Sequence, residues 1–222
     1  MSKPRTSNDT TGHRRHGRIF VLSAPSGAGK STLAQAVIAS TPKLVRSVTY
    51  TTRLKRSGEV EGDDYHFLSH EAFLERLRTG EWLESASVHG YLYGTSRRDV
   101  SCLCQQGLDV LLVIDYQGAT TLRQQRVDAV YIFVLPPSLV ALEQRLRQRN
   151  ADDEASLRTR LAIAPKEMAQ YRHYDYVIVN DDLKAATQQL QAIIVADRCC
   201  LRRLDRRYPI FAELAELDGR DP

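Results

Sequence analysis

Short apolar runs punctuate the chain at 19–22, 109–115, 129–135 and 176–179. Each is bounded by polar or turn residues and rich in Val, Ile, Leu and Phe, the pattern of strands buried on both faces. Between them the apolar positions recur at helical spacing. Leu33, Ala36, Val37 and Ala39 predict a helix that stops near Thr41-Pro42, because proline cannot continue it. A helix is expected over 117–125. Another opens at Pro136-Pro137-Ser138, carries Leu139, Leu142 and Leu146 on one face, and breaks at 150–153. A further helix runs to about 171 with Pro165 as a kink, and a long one covers 183–204. The end from 208 onward reads as loose or docked on a partner. Buried strands alternating with helices predict an α/β fold around a parallel sheet, with ligands at the carboxyl ends of its strands.

The stretch from about 50 to 95 follows another rhythm. Residues 44–52 alternate and are β-branched, predicting one strand, and 53–59 is a charged turn. Short strands are expected over 62–67, 81–84, 87–89 and 91–93. Ser69 suits the N-cap of a helix over 71–78 that Gly80 ends. Thr95-Ser96 caps another helix that runs to about 106 and is closed by Gly107. Strands without long crossover helices predict a small α+β insertion beside the main sheet.

The first strand leads into Ser23-Ala24-Pro25-Ser26-Gly27-Ala28-Gly29-Lys30-Ser31-Thr32, and a helix follows. Strand, glycine-rich loop and helix form the context of a phosphate-binding loop, spanning 24–31 here. Loop amides and the positive end of the helix dipole favour an anion. Gly27 and Gly29 permit close backbone approach, Lys30 can reach the β- and γ-phosphates, and Ser31 offers a hydroxyl to Mg²⁺. Ala24 stands where the GxxxxGK[ST] pattern has glycine. Asp115 closes the 109–115 run as a Walker-B-like acid.

Composition narrows the class. With 222 residues, 42% of them hydrophobic, the chain can bury one substantial core. No apolar run approaches the roughly 20 residues of a membrane span, and no secretory signal is legible. Cys102, Cys104, Cys199 and Cys200 have neither disulfide nor metal-ligand spacing, so reduced thiols in a cytoplasmic protein are expected. The net charge of +4 is partly concentrated at the ends. Residues 1–17 read as a disordered basic tail, and Arg198, Arg202, Arg203, Arg206 and Arg207 as a solvated helix face. With no nucleic-acid motif beside these charges, nucleic acid is not an expected partner. The sequence leaves monomer or homo-oligomer open.

Further clusters bear on the second substrate: Thr51-Thr52-Arg53 with Arg56 and Gly58-Glu59; Asp64-Tyr65, Glu84 and Tyr93-Gly94-Thr95-Ser96; and Arg145, Arg147, Arg149, Arg158 and Arg160. Guanidinium and phenol groups can hold a phosphate monoester, and a carboxylate can accept two N–H groups from a guanine edge. The chain resembles bacterial guanylate kinases. The resemblance rests on SAPSGAGKST at 23–32, TTR at 51–53, GEVEGDDYHF at 58–67, YGTS at 93–96, IDYQGA at 114–119, LPPS at 135–138 and YDYVIVNDDL at 174–183. It runs from about 18 to 203, within a domain placed at 18–207.

That resemblance implies a three-layer P-loop NTPase fold with a GMP-binding insertion at about 50–95 and a mobile helical lid at about 138–166. It implies Mg²⁺-dependent transfer of the ATP γ-phosphoryl to GMP or dGMP. Carried onto matching positions, residues 24–32 and Asn180 would hold ATP, Asn180 near the adenine. Arg53, Arg56, Tyr65 and Tyr93 would hold the GMP phosphate, while Thr49, Glu84 and Thr95 read the guanine. Asp115 would serve acceptor and metal, the latter with Ser31. Arg145, Arg149 and Arg160 would close from the lid, acting with Lys30 and Arg53 in catalysis.

Arg147 and Arg158 are read as solvated, Trp82 as packing, and the histidines as without metal chemistry. Val113 stands where the family usually has an acid, which removes one carboxylate near the acceptor. Tyr116 replaces a common Trp or Met. Gln148-Arg149-Asn150 replaces the usual Gly-Arg-Gly and predicts a stiffer lid. The open alternatives are a phospho-sugar kinase on the same fold and a kinase-like module with little catalysis that binds GMP or a protein.

Overall fold

The computed structural model describes residues 16–88, 90–148, 154–204 and 208–217. The apolar runs become the strands of a five-stranded sheet in the order β2-β7-β1-β8-β9. These are β1 (Ile19–Ser23), β2 (Leu44–Arg46), β7 (Asp109–Val113), β8 (Ala129–Leu135) and β9 (Tyr176–Val179). Every pairing in it is parallel. Side-chain alternation splits the core into two layers. On one face Phe20, Leu22, Leu111, Ile132 and Ile178 pack against α1 (Lys30–Ser40) and α7 (Leu183–Arg198). On the other, Val21, Val110, Leu112 and Tyr131 pack against α3 (Arg97–Gln105) and α4 (Tyr116–Gln124). Helix, sheet and helix form the expected three-layer α/β arrangement.

The insertion is a four-stranded sheet in the order β4-β3-β6-β5, from β3 (Thr49–Thr51), β4 (Tyr65–Phe67), β5 (Trp82–Val88) and β6 (Tyr91–Ser96). Helix α2 (His70–Arg78) covers it, with Ser69 accepting the Ala72 N–H as the predicted cap. Trp82 stacks on Phe73 at 4.6 Å, the packing role expected of it. The lid consists of α5 (Leu139–Gln148) and α6 (Glu154–Met168) around Leu142, Leu146, Leu157 and Ala164.

Some expectations are corrected. The single strand expected over 44–52 is two strands in two sheets. Ser47 N–H still donates to Leu111 of the central sheet, but Thr49 pairs with Tyr65 of the insertion. Alternation marks a segment as extended; it does not choose its neighbour. The helix expected over 183–204 breaks at Cys199, and a short α8 (Leu201–Leu204) follows. The break brings Arg198 and Arg203 onto the same carboxylate, Asp109, at 2.8 and 3.3 Å. Five residues apart on one continuous helix, they would point roughly 140° from each other. These two arginines are therefore internal ties, not a solvated face. Asp109 is 0% exposed and also accepts the Arg18 backbone N–H at 2.8 Å. Gly17, assigned to the tail, already donates its N–H to Cys104. The end from 208 contains α9 (Pro209–Leu217), so its backbone is helical there. The remainder of the expected tail (1–15), the 150–153 break, Arg206 and Arg207 lie outside the described residues. Among the described residues no helix is long and apolar enough to cross a membrane.

Candidate active site

The phosphate-binding loop leaves β1 and delivers Lys30 as the first residue of α1. Gly27 and Gly29 both hold φ at +88°, a left-handed conformation that side chains disfavour. A Cβ on Gly27 would also come within 2.8 Å of Leu146 and 3.0 Å of Leu142, so the loop approaches the lid helix as closely as glycine permits. Lys30 Nζ donates to the Ile114 carbonyl at 2.6 Å. Burial lowers its pKa from 10.5 to about 8, against the pull of Asp115, Glu167 and Glu84. Ser31 and Thr32 are exposed at the loop mouth, and Ala24, at the entrance, packs against the core.

Three side chains from other elements hold this loop. Asn180, 6% exposed, donates to the Ala28 carbonyl at 2.8 Å. Arg160 of α6 donates to Ser26 Oγ at 2.7 Å, and Glu167 accepts the Ser26 N–H at 3.2 Å. Arg145 of α5 donates through Nη2 to the Asn180 carbonyl at 2.8 Å, while its Nη1 is buried without a partner. Arg160 of the lid thus already reaches the loop, and Arg145 touches the Asn180 that braces it. Arg149 lies outside the described residues. Arg147 and Arg158 pair with Glu143 and Glu154 on the surface, as expected of them.

Across the cleft, β5 and β6 present Glu84 and Thr95 in paired register. Glu84 is 4% exposed and accepts the Thr95 hydroxyl. Burial raises its pKa from 4.5 to about 7, the Thr95 hydrogen bond opposing and the Asp115 charge adding to the rise. A Cβ on Gly118 would collide with Glu84 Oε2, so α4 can lie against this carboxylate only through a glycine. Thr49 is buried on the neighbouring strand. Asp115 caps α4, its Oδ1 accepting the Gly118 N–H at 2.9 Å and its Oδ2 the Gln117 amide at 3.0 Å. Val113 packs against the core.

The phosphate-ligand candidates cluster on the insertion. Arg53, 7% exposed, forms a fork with Glu59 at 2.6 and 3.1 Å and lies 5.2 Å from the Tyr65 ring centre. The Tyr65 and Tyr93 rings meet edge-on at 6.1 Å. Arg56 is exposed, but its backbone N–H donates to Glu59 at 2.8 Å.

A family model described as guanylate kinase matches residues 16–197. The chain belongs to the guanylate kinase family. It is therefore an enzyme of ATP-dependent GMP phosphorylation. The guanylate kinase of Desulfotalea psychrophila is 48% identical over 195 residues, covering 87% of this chain and 96% of that one. That of Agrobacterium fabrum is 44% identical over 210 residues, 94% of each chain. The crystal structure of guanylate kinase from Anaplasma phagocytophilum superposes with a TM-score of 0.73 at 33% identity, covering 95% of this chain and 100% of that one.

Arg46, Glu167 and Gly118 stand beside the site residues legible in the sequence, and Glu59, legible there without a role, grips Arg53. Glu59 carried a usable signal, an acid six residues after an arginine across a glycine turn. Arg46 and Glu167 carried none, because their partners are remote in the chain.

Proposed function

We propose that the transfer runs between a donor held by the phosphate-binding loop and a GMP or dGMP held by the insertion. The buried Glu84 carboxylate carries this reading. A carboxylate kept nearly dry and hydrogen-bonded to a threonine is stabilised when a guanine edge brings it two N–H donors. Thr49 and Thr95 complete that reader. Arg53, Arg56, Tyr65 and Tyr93 take the acceptor phosphate, so Arg53 exchanges part of its Glu59 fork for phosphate oxygens. Loop amides and Lys30 hold the donor. The Lys30 ammonium leaves the Ile114 carbonyl for the β- and γ-phosphates. Asn180 acts from beneath, fixing the Ala28 carbonyl so that the neighbouring amides point outward.

Phosphoryl transfer is an in-line displacement in which the protein positions reactants and neutralises charge. The acceptor phosphate is itself anionic, so Val113 deprives the site of no required base. Arg145 and Arg160 meet the migrating group as the lid seats, and the unmet Nη1 of Arg145 is a donor ready for it. In related phosphoryl transfers such an arginine is worth roughly 10³–10⁵ in rate. Lid closure also excludes water that would hydrolyse the donor.

The donor set fits Mg²⁺. A hydroxyl and a carboxylate are hard oxygen ligands, and Mg²⁺ typically takes one or two protein oxygens with phosphates and water. Ser31 would supply a hydroxyl and Asp115 a carboxylate to hold the ion, whose positive charge would offset that of the phosphate oxygens. The free thiols fit a reducing cytoplasm.

The test is ADP production from Mg²⁺-ATP with GMP, dGMP, AMP, CMP and UMP, using Lys30→Ala as control. Turnover confined to GMP and dGMP and lost in the control is expected. Equal turnover of AMP would refute Glu84 as the base reader.

A further inference from the structure

Arg46 ends β2, and three residues later the chain enters β3. It stands at the seam between the central sheet and the insertion. Its Nη2 donates to the Asp64 carbonyl at 2.8 Å, just before β4. Its guanidinium carbon lies 5.8 Å from the centre of the Tyr65 ring, the ring that Arg53 approaches at 5.2 Å. Two cations therefore flank one phenol.

They differ in how they are neutralised. Arg53 is held by the Glu59 fork. Arg46 has no carboxylate partner among the described residues, and its Nε is buried without a hydrogen bond. A buried donor atom left unmet is unfavourable. An anion arriving at Tyr65 would relieve it. The Arg46 charge is also felt at Lys30, where it is one of the influences lowering the lysine pKa. Arg46 thus stands beside Tyr65, assigned to the acceptor phosphate, and its charge extends to Lys30, assigned to the donor.

We propose that Arg46 is a further acceptor-positioning residue: it ties the Asp64–Tyr65 edge of the insertion to the central sheet, and its unneutralised charge draws the acceptor monophosphate toward Lys30. The inference rests on Arg53 and Tyr65 being ligands of that phosphate.

Steady-state kinetics of Arg46→Gln, Arg46→Lys and, as reference, Arg53→Gln test it, with GMP and ATP varied separately. Arg46→Gln raises the KM for GMP about ten-fold and moves that for ATP by less than about two-fold. Arg46→Lys, which keeps the charge, recovers most of the loss. A strut without an electrostatic role would instead lower the melting temperature and leave the two KM values moving together. An Arg46→Gln variant with the parent's KM for GMP overturns the proposal, as does an Arg46→Lys variant no better than it. If Arg53→Gln is also silent, the acceptor-site reading falls and takes this inference with it. If Arg53→Gln alone raises the KM, only this inference falls. Should Arg46→Gln not fold, the Arg46 Nε–H resonance of the parent protein decides. It shifts on addition of GMP, and an unmoved resonance overturns the proposal.

Discussion

Replacing Glu84 by glutamine should make the protein more stable and less able to recognise its substrate. Burial shifts the Glu84 pKa from 4.5 to about 7. Between those values the folded protein binds the proton more tightly than the unfolded chain, so stability falls as pH rises through this window. It stays at its reduced level above pH 7. A shift of that size corresponds to roughly 3 kcal/mol. Glu84→Gln keeps an oxygen for the Thr95 hydroxyl and never ionises. It should therefore gain up to about 3 kcal/mol over the parent at pH 8 and close to nothing below pH 4.5. Its amide would present a donor where guanine also presents donors. Loss of a charge-assisted hydrogen bond then raises the KM for GMP about 100-fold. Urea denaturation of both proteins at pH 5 and pH 8, without nucleotide, reads the first effect, and kinetics at pH 8 read the second. A variant no more stable than the parent at pH 8 would refute the argument that this carboxylate is held ionised against its surroundings.

Other predictions follow from the same cleft. Since Lys30 titrates at about 8 in the free protein, bound phosphates should raise its pKa. ATP binding at pH 8 then takes up about half a proton, seen calorimetrically as a buffer-dependent heat that Lys30→Met abolishes. By the same sign, ATP affinity declines as pH rises through 8. Gly27→Ala combines a strained φ of +88° with contact against Leu142 and Leu146. It should lower stability by about 1–3 kcal/mol and reduce kcat, measured by thermal melting and kinetics. Gly118→Ala drives a methyl into Glu84 Oε2. The KM for GMP should rise while that for ATP holds, although alanine favours helix α4 by up to about 1 kcal/mol.

Much of the scaffold was legible because its signals are local. Runs such as 109–115 and 129–135 are too apolar to be anything but buried, and Ser69, Ser96 and Gly107 mark helix boundaries at the positions where they occur. The split of 44–52 was not legible, since both halves are extended and only the neighbouring backbones differ. The break after Arg198 was hidden for a related reason: it serves Asp109, 89 residues away. At the site, residue types announced the chemistry, whereas their resting partners did not. The Glu59 grip on Arg53, the Asn180 brace under Ala28 and the Glu167 contact to Ser26 emerge only in three dimensions.

The carboxylate of Asp109 has a consequence for how this molecule opens. It lies at the start of a central strand and gathers the entry to β1 at Arg18, the end of α7 at Arg198 and α8 at Arg203. Both ends of the α/β core are thus buttoned to one interior anion, away from the cleft between lid and insertion. Neither extremity can fray without exposing that anion, so backbone amides of β1 and α7 should exchange their hydrogens together, in a single opening. Opening at the cleft should leave these amides protected, since it touches none of the Asp109 ties.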